Sequence, residues 1–295
     1  MNNLTHAAAK GTLRELQLHE LDLFKSFASF CEKNELTYYA LGGTLLGAIR
    51  HQGFIPWDDD MDLGMPREDY EVFLRTFSPD DPNVRLHWVG NDVNHTRYFA
   101  RIEDERIKIL RTDMEPPELT PAWIDVFPLD GMPEGGIGLA LAKASILLHR
   151  ALFRFGQSGK SRAVITNDRP FYEKVLIRLQ NALCLYRIFP FKKMWARLDF
   201  CLKKHPYATS SNIINAMGHW KFKEMFPKSC YGEGAWYPFE DTVIFGPVDY
   251  DTVCRSLYGD YMTPVDTGHH QPKPTSLNQE KEELHDKGNT DLIND

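Results

Sequence analysis

Residues 40–65 read ALGGTLLGAIRHQGFIPWDDDMDLGM, and this stretch decides the fold. The β-branched and aromatic residues 36–41 predict a short strand that stops at the glycine pair Gly42-Gly43. Residues 45–49 have the pattern of the first turns of a helix, and residues 60–65 alternate polar and apolar as a half-buried strand does. We therefore expect a strand, a tight loop, a helix and a second strand in this order.

The flanking sequence adds further helices and strands to this unit. A capping box at Thr12 and Glu15 precedes apolar residues at helical spacing up to Cys31, and residues 68–77 are also helical in pattern. Around Ile124 a short apolar run predicts another strand, ended by Pro128. Helices that alternate with strands in this way predict an α/β or α+β catalytic core.

Four carboxylates fall within five positions, at Asp58, Asp59, Asp60 and Asp62. On a strand, Asp60 and Asp62 project from the same face, where they can share a hard cation such as Mg²⁺, or Mn²⁺ in its place. The alternative is an acidic turn that faces water. An EF-hand loop is excluded, because its sharp turn needs glycine where this chain has Leu63.

The loop Gly42-Gly43-Thr44 closes one strand and opens a helix, so its backbone N–H groups can approach a phosphate. It matches neither common glycine-rich nucleotide motif, and an ordinary tight turn is the alternative. Asp125 lies alone on an apolar strand, which predicts either a metal ligand or a buried carboxylate bonded to backbone N–H groups. Asp130, before a glycine, is expected in a turn.

The 295 residues carry a net charge of −7, but the charge is unevenly distributed. Residues 137–205 hold fourteen Lys and Arg against three acidic residues, so an acidic body surrounds a basic middle. We expect a catalytic core over 1–136, a basic helical insertion over 137–206, a part that completes the active site over 207–270 and a disordered tail over 271–295.

Composition excludes several classes of protein. Net negative charge argues against nucleic acid as a partner, and five cysteines without a C-x-x-C pair argue against a disulfide framework or zinc ribbon. The sequence shows no signal peptide and no apolar run of 18 residues, so we expect a cytoplasmic protein. In the basic middle, an apolar stripe (Ile137, Leu141, Ala144, Leu148, Leu152, Phe155) lies beside Lys143, Arg150 and Arg154. Such helices can contact the anionic inner face of a membrane, or simply pack together.

Three strings resemble the LicD family of phosphocholine transferases, which are related to fukutin and fukutin-related protein. The strings are residues 40–65, IDVFPLD at 124–130, and YGDYMTP at 258–264 with His269-His270 beyond. The resemblance implies an α+β fold with a nucleotidyltransferase-like mixed sheet and flanking helices. It further implies transfer of phosphocholine from CDP-choline to a sugar hydroxyl of a bacterial surface glycan precursor, lipid-linked and belonging to a teichoic acid, lipopolysaccharide or capsule. CMP would be the second product.

The resemblance also implies residue roles. Asp60, Asp62 and Asp125 would hold Mg²⁺, and Gly42, Gly43, Thr44 and Arg50 would contact the donor phosphates. Trp57 and Asp58 would be further substrate contacts. The general base would be Asp125, His51 or His270, and a cage for choline could use Trp57, Trp123 or Trp236. Transfer of ribitol, glycerol or ethanolamine phosphate, nucleotidyl transfer with release of pyrophosphate, and non-enzymatic cation binding remain alternatives.

Overall fold

The computed structural model describes residues 12–111, 118–158, 185–264 and 275–278. Within these ranges the chain forms six α-helices and ten strands. The helices are α1 (Thr12–Lys33), α2 (Gly42–His51), α3 (Arg67–Thr76), α4 (Gly136–Gln157), α5 (Phe191–Leu202) and α6 (Tyr250–Tyr258). The strands are β1 (Tyr39–Ala40), β2 (Asp62–Pro66), β3 (Val84–His87), β4 (Ala100–Arg111), β5 (Glu118–Met132), β6 (Asn212–Ile214), β7 (Met225–Pro227), β8 (Ala235–Phe239), β9 (Thr242–Gly246) and β10 (Thr275–Asn278).

Eight of these strands form one curled, mixed sheet. Its main path runs β1-β2-β5-β4-β10, with β3 added to β4 and the β6–β7 pair added to β5, while β8 and β9 form a separate hairpin. The β2–β5 pair is parallel and the other described pairs are antiparallel. This confirms the expected α+β class with a mixed, nucleotidyltransferase-like sheet and flanking helices.

Strand β5 is longer than the sequence predicts. Pro128 does not end it: Pro128 is the register partner of Met65 in the parallel ladder, and the strand continues to Met132. Asp130 consequently lies inside the strand, opposite Ile214, and the expected Asp-Gly turn is wrong. The fixed φ of proline is compatible with extended backbone, so the chain loses one ladder hydrogen bond rather than the strand.

Helix α1 fixes the loop that carries the acidic residues. The buried Gln17 side chain donates from Nε2 to the backbone carbonyls of Ile55 (3.1 Å) and Asp58 (2.9 Å). One turn earlier, Arg14 pairs through both terminal nitrogens with Glu240, whose Oε1 also accepts from the backbone N–H of Phe54. The loop between α2 and β2 is therefore held by side chains that are distant in sequence.

In the basic middle, α4 packs with the face opposite to the predicted stripe. Its buried residues are Ile146, Phe153 and Gly156, whereas Ile137, Leu141 and Leu148 are 79%, 64% and 58% exposed. By length and composition α4 could cross a membrane, and little of its most apolar stretch is buried within the described part of the chain.

Two of the basic residues on α4 have structural contacts. The ammonium group of Lys143 lies 5.4 Å from the centre of the Phe222 ring, and Arg150 donates a hydrogen bond to the backbone carbonyl of Ala216. Burial lowers the pKa of Arg150. These two side chains therefore contact the segment that follows β6.

Part of the expected disordered tail is a strand. Thr275–Asn278 pair antiparallel with Lys108–Arg111 at the edge of the main sheet, so the disorder expectation does not hold for these four residues. His270, residues 159–184 within the expected basic insertion, and residues 279–295 within the expected tail lie outside the described residues.

Candidate active site

Two of the predicted catalytic residues are neighbours in the sheet. Asp62, the first residue of β2, is the register partner of Asp125 in β5. The backbone N–H of Asp125 donates to the carbonyl of Met61 at 2.9 Å. Because parallel register partners lie one strand spacing apart, the ladder itself brings these two carboxylates together.

The sequence suggested that Asp125 lies alone on an apolar strand, but it has a charged partner on the neighbouring strand β4. Arg101, its register partner on β4, donates from Nε to Oδ1 (2.7 Å) and from Nη2 to Oδ2 (2.9 Å). Both residues are buried, and the guanidinium also lies 4.4 Å from the ring centre of Trp123. The sequence analysis missed Arg101. Its position between the apolar residues Ala100 and Ile102 of a strand is a pattern that could have indicated a buried, paired charge.

This pair leads to a stability prediction for Asp125→Asn. The substitution leaves the buried Arg101 guanidinium without its counter-charge, and breaking a buried ion pair costs about 3 kcal/mol or more. We expect the free energy of unfolding in urea to fall by about this amount, while the exposed control Asp80→Asn changes it by less than about 0.5 kcal/mol. A more stable Asp125→Asn protein would mean that repulsion between Asp62 and Asp125 outweighs the ion pair.

The Gly42-Gly43-Thr44 turn opens α2 beside the acidic residues. Gly42 has a φ of +49°, and a Cβ added to Gly43 would lie 2.5 Å from Oδ2 of Asp58, so side chains at these positions would strain the backbone or displace the carboxylate. The Thr44 hydroxyl accepts from the backbone N–H of Asp62 at 2.8 Å. Its side chain therefore helps to position the start of β2.

The acidic residues fall into two groups. Carboxylate oxygens of Asp58, Asp59 and Asp60, which we call the acidic triad, lie within 4.8 Å of one another, and Asp62 and Asp125 are outside this group. Burial, together with the negative charges of Asp60 and Asp125, raises the pKa of Asp62 well above its ordinary value. Among the described residues, the acidic triad has oxygens close enough to share one cation, whereas Asp60, Asp62 and Asp125 do not form such a group.

A cleft of about 350 Å³ connects this region to the C-terminal motif. It is lined by five of the predicted substrate or metal residues and by five residues of the 258–264 string. They are Gly43, Arg50, Trp57, Asp58 and Asp60 on one side, and Tyr258, Asp260, Tyr261, Thr263 and Pro264 on the other. The Arg50 side chain is held at the mouth by its Nη1, which donates to the carbonyl of Tyr261 at 2.8 Å. Residues 40–65 and 258–264, far apart in sequence, therefore line one cleft, whereas Asp125 of the 124–130 string reaches this region through its pairing with Asp62.

Three other candidates do not line the cleft. His51 is buried and its Nε2 accepts from Nε of Arg50 at 2.9 Å, so that nitrogen is already engaged. Trp123 is 3% exposed and stacks on Arg101, and the exposed Trp236 lines a separate cavity against α1. Of the three tryptophans considered for a choline cage, Trp57 alone lines this cleft.

Glu224 is a second residue that the sequence analysis missed. Burial raises its pKa to about 7, and its Oε1 accepts from the backbone N–H of Trp220 at 2.8 Å. Its negative charge contributes to the raised pKa values of Asp62 and Tyr258, so this carboxyl group lies within electrostatic reach of the cleft. Nothing near Glu224 in the sequence distinguishes it, because its position depends on the β6–β7 pairing.

Comparison with known proteins places this chain in a family. Residues 35–120 match the family model described as LicD/FKTN/FKRP, nucleotidyltransferase domain. The lipopolysaccharide cholinephosphotransferase LicD of Haemophilus influenzae is 31% identical to this chain over 259 residues, which cover 86% of the chain and 92% of that protein. The chain belongs to the LicD family.

Two uncharacterized rickettsial proteins share a shorter part of this LicD-family chain. The protein from Rickettsia typhi is 30% identical over 117 residues, which cover 40% of the chain and 35% of that protein. The protein from Rickettsia prowazekii is 44% identical over 86 residues, which cover 29% of each chain. The family-model match contains the glycine loop, the acidic triad and Asp62, whereas Asp125 and the 258–264 string lie beyond it.

Proposed function

We propose that this protein transfers phosphocholine from CDP-choline to a sugar hydroxyl of a bacterial surface glycan precursor and releases CMP. The observation that carries the proposal is the single cleft, in which a helix N-terminus, Arg50, carboxylates and aromatic side chains face one another. A CDP-alcohol has an anionic diphosphate at its centre and, in CDP-choline, a quaternary ammonium at one end. The acceptor glycan is that of a lipopolysaccharide, a teichoic acid or a capsule.

Asp60, Asp62 and Asp125 are the proposed ligands of Mg²⁺, or of Mn²⁺ in its place. When bound, the cation supplies positive charge to the diphosphate as CMP leaves. Asp62 is the anchor of this set, because the β2–β5 ladder and the Thr44 hydroxyl fix its backbone. Arg101 orients Asp125 through both of its oxygens, so Arg101 is a positioning residue.

The remaining contacts to the donor follow from the walls of the cleft. Backbone N–H groups of Gly42, Gly43 and Thr44 at the start of α2 can donate to phosphate oxygens, and the planar guanidinium of Arg50 can bind them bidentately. Trp57, Tyr258 and Tyr261 supply aromatic faces in the same cleft, and such faces attract a quaternary ammonium.

The acceptor hydroxyl has to lose a proton to a general base. Asp125 and Glu224 are the two proposals that the described residues leave open, since the Nε2 of His51 is bonded to Arg50. Glu224 has a pKa of about 7, which suits a base near neutral pH. If Glu224 is the base, Glu224→Gln should remove the acid limb near pH 7 from the pH dependence of kcat, whereas Asp125→Asn should not.

Product analysis tests the proposal directly. The full chain is incubated with Mg²⁺ and CDP-choline, with and without membrane glycolipid, and nucleotide products are separated by chromatography. We expect acceptor-dependent formation of CMP and incorporation of choline phosphate into the glycolipid. Release of pyrophosphate from CTP would indicate a nucleotidyltransferase. CMP release only from CDP-ribitol, CDP-glycerol or CDP-ethanolamine would identify that compound, and not CDP-choline, as the donor. No turnover with any nucleotide would leave cation binding as the function.

We further propose that the protein works in the cytoplasm and contacts the inner face of the membrane through α4 and α5. The outward face of α4 presents Ile137, Leu141 and Leu148, and exposed residues of α5 include basic side chains beside Phe200, which is 79% exposed. Apolar residues that insert among lipid headgroups, flanked by Lys and Arg, favour an anionic bilayer surface. A lipid-linked acceptor would lie at that surface.

Vesicle sedimentation tests this contact with a matched control. Each Lys or Arg near an anionic surface contributes about 1 kcal/mol, so replacing Lys192, Lys193 and Arg197 with Gln should weaken binding to phosphatidylglycerol vesicles about 100-fold. Replacing the exposed Lys33, Arg75 and Arg85 with Gln removes the same charge elsewhere and should have little effect. Equal sedimentation of the two triple variants would contradict the proposed surface.

A further inference from the structure

A cavity of about 540 Å³ lies between α1 and the β8–β9 hairpin. Its walls come from α1, from the segment that leads into β1 and from the hairpin. The described residues that line it are all different from those of the cleft that contains Arg50 and Asp58. Binding sites for small molecules have a volume of about this size and combine aromatic side chains with a few polar groups. The chemistry of the walls indicates which kind of molecule the cavity suits.

Trp236 gives the cavity a flat aromatic surface. It pairs in register with Phe245 on the other strand of the hairpin, and the two ring centres are 4.8 Å apart. Phe245 stacks in turn on the buried Tyr39, with 5.5 Å between the ring centres. Trp236 itself is 61% exposed. Its ring is therefore supported by the hairpin and the core, while much of its surface is open to a ligand.

Three hydroxyl groups in the cavity wall are available for hydrogen bonds. They belong to Ser29 on α1, Thr37 before β1 and Thr242 at the start of β9, and none of them bonds to another group in the part of the chain that the structure describes. A hydroxyl on a helix commonly bonds to the carbonyl four residues earlier, as Thr76 does with Val72. Ser29 makes no such bond to the described residues, so its hydroxyl can donate to a ligand or accept from one.

Tyr38 adds a buried hydroxyl group. It lines the cavity, is 4% exposed, and its oxygen has no hydrogen-bond partner among the described residues. Burial raises the pKa of Tyr38. The backbone N–H of Phe245, without reaching hydrogen-bond geometry, lowers this pKa, and the negative charge of Glu32 raises it. Because both groups belong to the cavity wall, the hydroxyl lies on the cavity side, where a ligand could supply the partner that a buried polar group needs.

The charges in the wall favour an uncharged ligand. Lys25 and Glu32 are the charged residues among the described ones that line the cavity, and their signs are opposite. Nζ of Lys25 also pairs with Oδ2 of Asp241 at 2.8 Å. A phosphate would bring negative charge beside Glu32, and a quaternary ammonium would bring positive charge beside Lys25. A neutral molecule with several hydroxyl groups meets neither repulsion.

We propose that this cavity binds one sugar residue of a neutral saccharide. The C–H face of a sugar ring packs against a flat aromatic ring such as that of Trp236. Its hydroxyl groups both donate and accept, so they can bond to the side-chain hydroxyls, to Lys25 and to Glu32. The site is separate from the cleft of the transfer reaction, and the proposal does not depend on which nucleotide donor the protein uses.

Nuclear magnetic resonance of the Trp236 indole group tests the site. Each of the six tryptophans has one indole N–H group, and the signal that is missing from Trp236→Leu belongs to Trp236. The full wild-type chain is titrated with the methyl glycosides of glucose, galactose and N-acetylglucosamine. We expect at least one of them to shift the Trp236 signal until it saturates. Glycerol, which has hydroxyl groups but no ring, should give no saturable shift.

The affinity of the variants is measured from the signals of the saccharide in saturation-transfer experiments. Trp236→Leu should weaken binding about tenfold or more, because the stacking surface is lost. Phe200→Leu removes another exposed ring, on α5, and should leave the affinity unchanged. If Trp236→Leu does not fold, Trp236→Phe assigns the same indole signal, and the titration of the wild-type protein remains the test.

The proposal is overturned if no saccharide shifts the Trp236 signal saturably, or if the shifts are confined to other indole signals. Equal affinity of the wild-type protein and Trp236→Leu overturns it as well. Saturation by choline chloride but by no saccharide would make the cavity a cation site and also contradict the proposal. Failure of CDP-choline turnover, by contrast, would contradict only the proposed reaction.

Discussion

Replacing Asp62 with Asn should lower the rate of CMP release about 100- to 1000-fold. The substitution keeps the volume of the side chain but removes an anionic ligand at the position where the β2–β5 ladder and the Thr44 hydroxyl fix the backbone. Electrostatic stabilisation of developing charge of this kind is typically worth two to three orders of magnitude in kcat. Asp60→Asn should have an effect of the same order.

The stability of Asp62→Asn separates this role from a structural one. Because burial and neighbouring negative charges raise the pKa of Asp62, removing its charge should leave the melting temperature unchanged or higher. The control Asp80→Asn should keep full activity. EDTA should abolish turnover of the wild-type protein, and Mg²⁺ or Mn²⁺ should restore it. A folded Asp62→Asn protein with near-wild-type turnover at saturating Mg²⁺ would remove Asp62 from the catalytic site.

Asp130→Ala should have the opposite profile, a large loss of stability with the chemistry intact. Asp130 accepts from Nε and Nη2 of Arg67, each at 2.7 Å, and both side chains are buried. Arg67 also donates to Tyr98 and Asp199, so this network joins α3, β5 and α5. Removing one partner of a buried ion pair costs about 3–5 kcal/mol, and we expect the free energy of unfolding in urea to fall by that amount.

A double-mutant cycle distinguishes the ion pair from simple loss of packing. Arg67→Met combined with Asp130→Leu should be less destabilising than the sum of the two single changes, because neither charge is then left buried alone. Arg75→Ala, which breaks an exposed contact with Glu71 on the same helix, should cost less than about 1 kcal/mol. A stable but inactive Asp130→Ala protein would instead place Asp130 in the active site.

Local patterns were sufficient to predict the central elements. The alternation in residues 60–65 follows from the pleat of a strand, and the glycine pair at the start of α2 follows from the positive φ of Gly42. Both causes act over only a few residues. The strand that carries Asp125 was also predicted, but its end at Pro128 was not. A parallel ladder with β2 extends β5 beyond the proline, and no local pattern contains that information.

The partners of charged residues were not predictable in the same way. Arg101 lies 24 positions from Asp125, and Arg67 lies 63 positions from Asp130. Each contact depends on strand register or helix packing, which a single sequence does not specify. The same limit applies to α4, where the sequence revealed the apolar stripe but not that the opposite face is buried.

The two walls of the cleft have different mechanical support. One wall consists of α2 and the acidic loop, which are tied to the parallel β2–β5 pair, whereas the segment after α6 that forms the other wall is not a sheet strand. Under the proposed transfer reaction, exchanging residues 258–264 with those of a relative should alter which alcohol phosphate the protein takes from a CDP donor. The carboxylates on the other wall should keep their positions. Donor preference in such proteins could therefore diversify through one short peptide, without rebuilding the reaction centre.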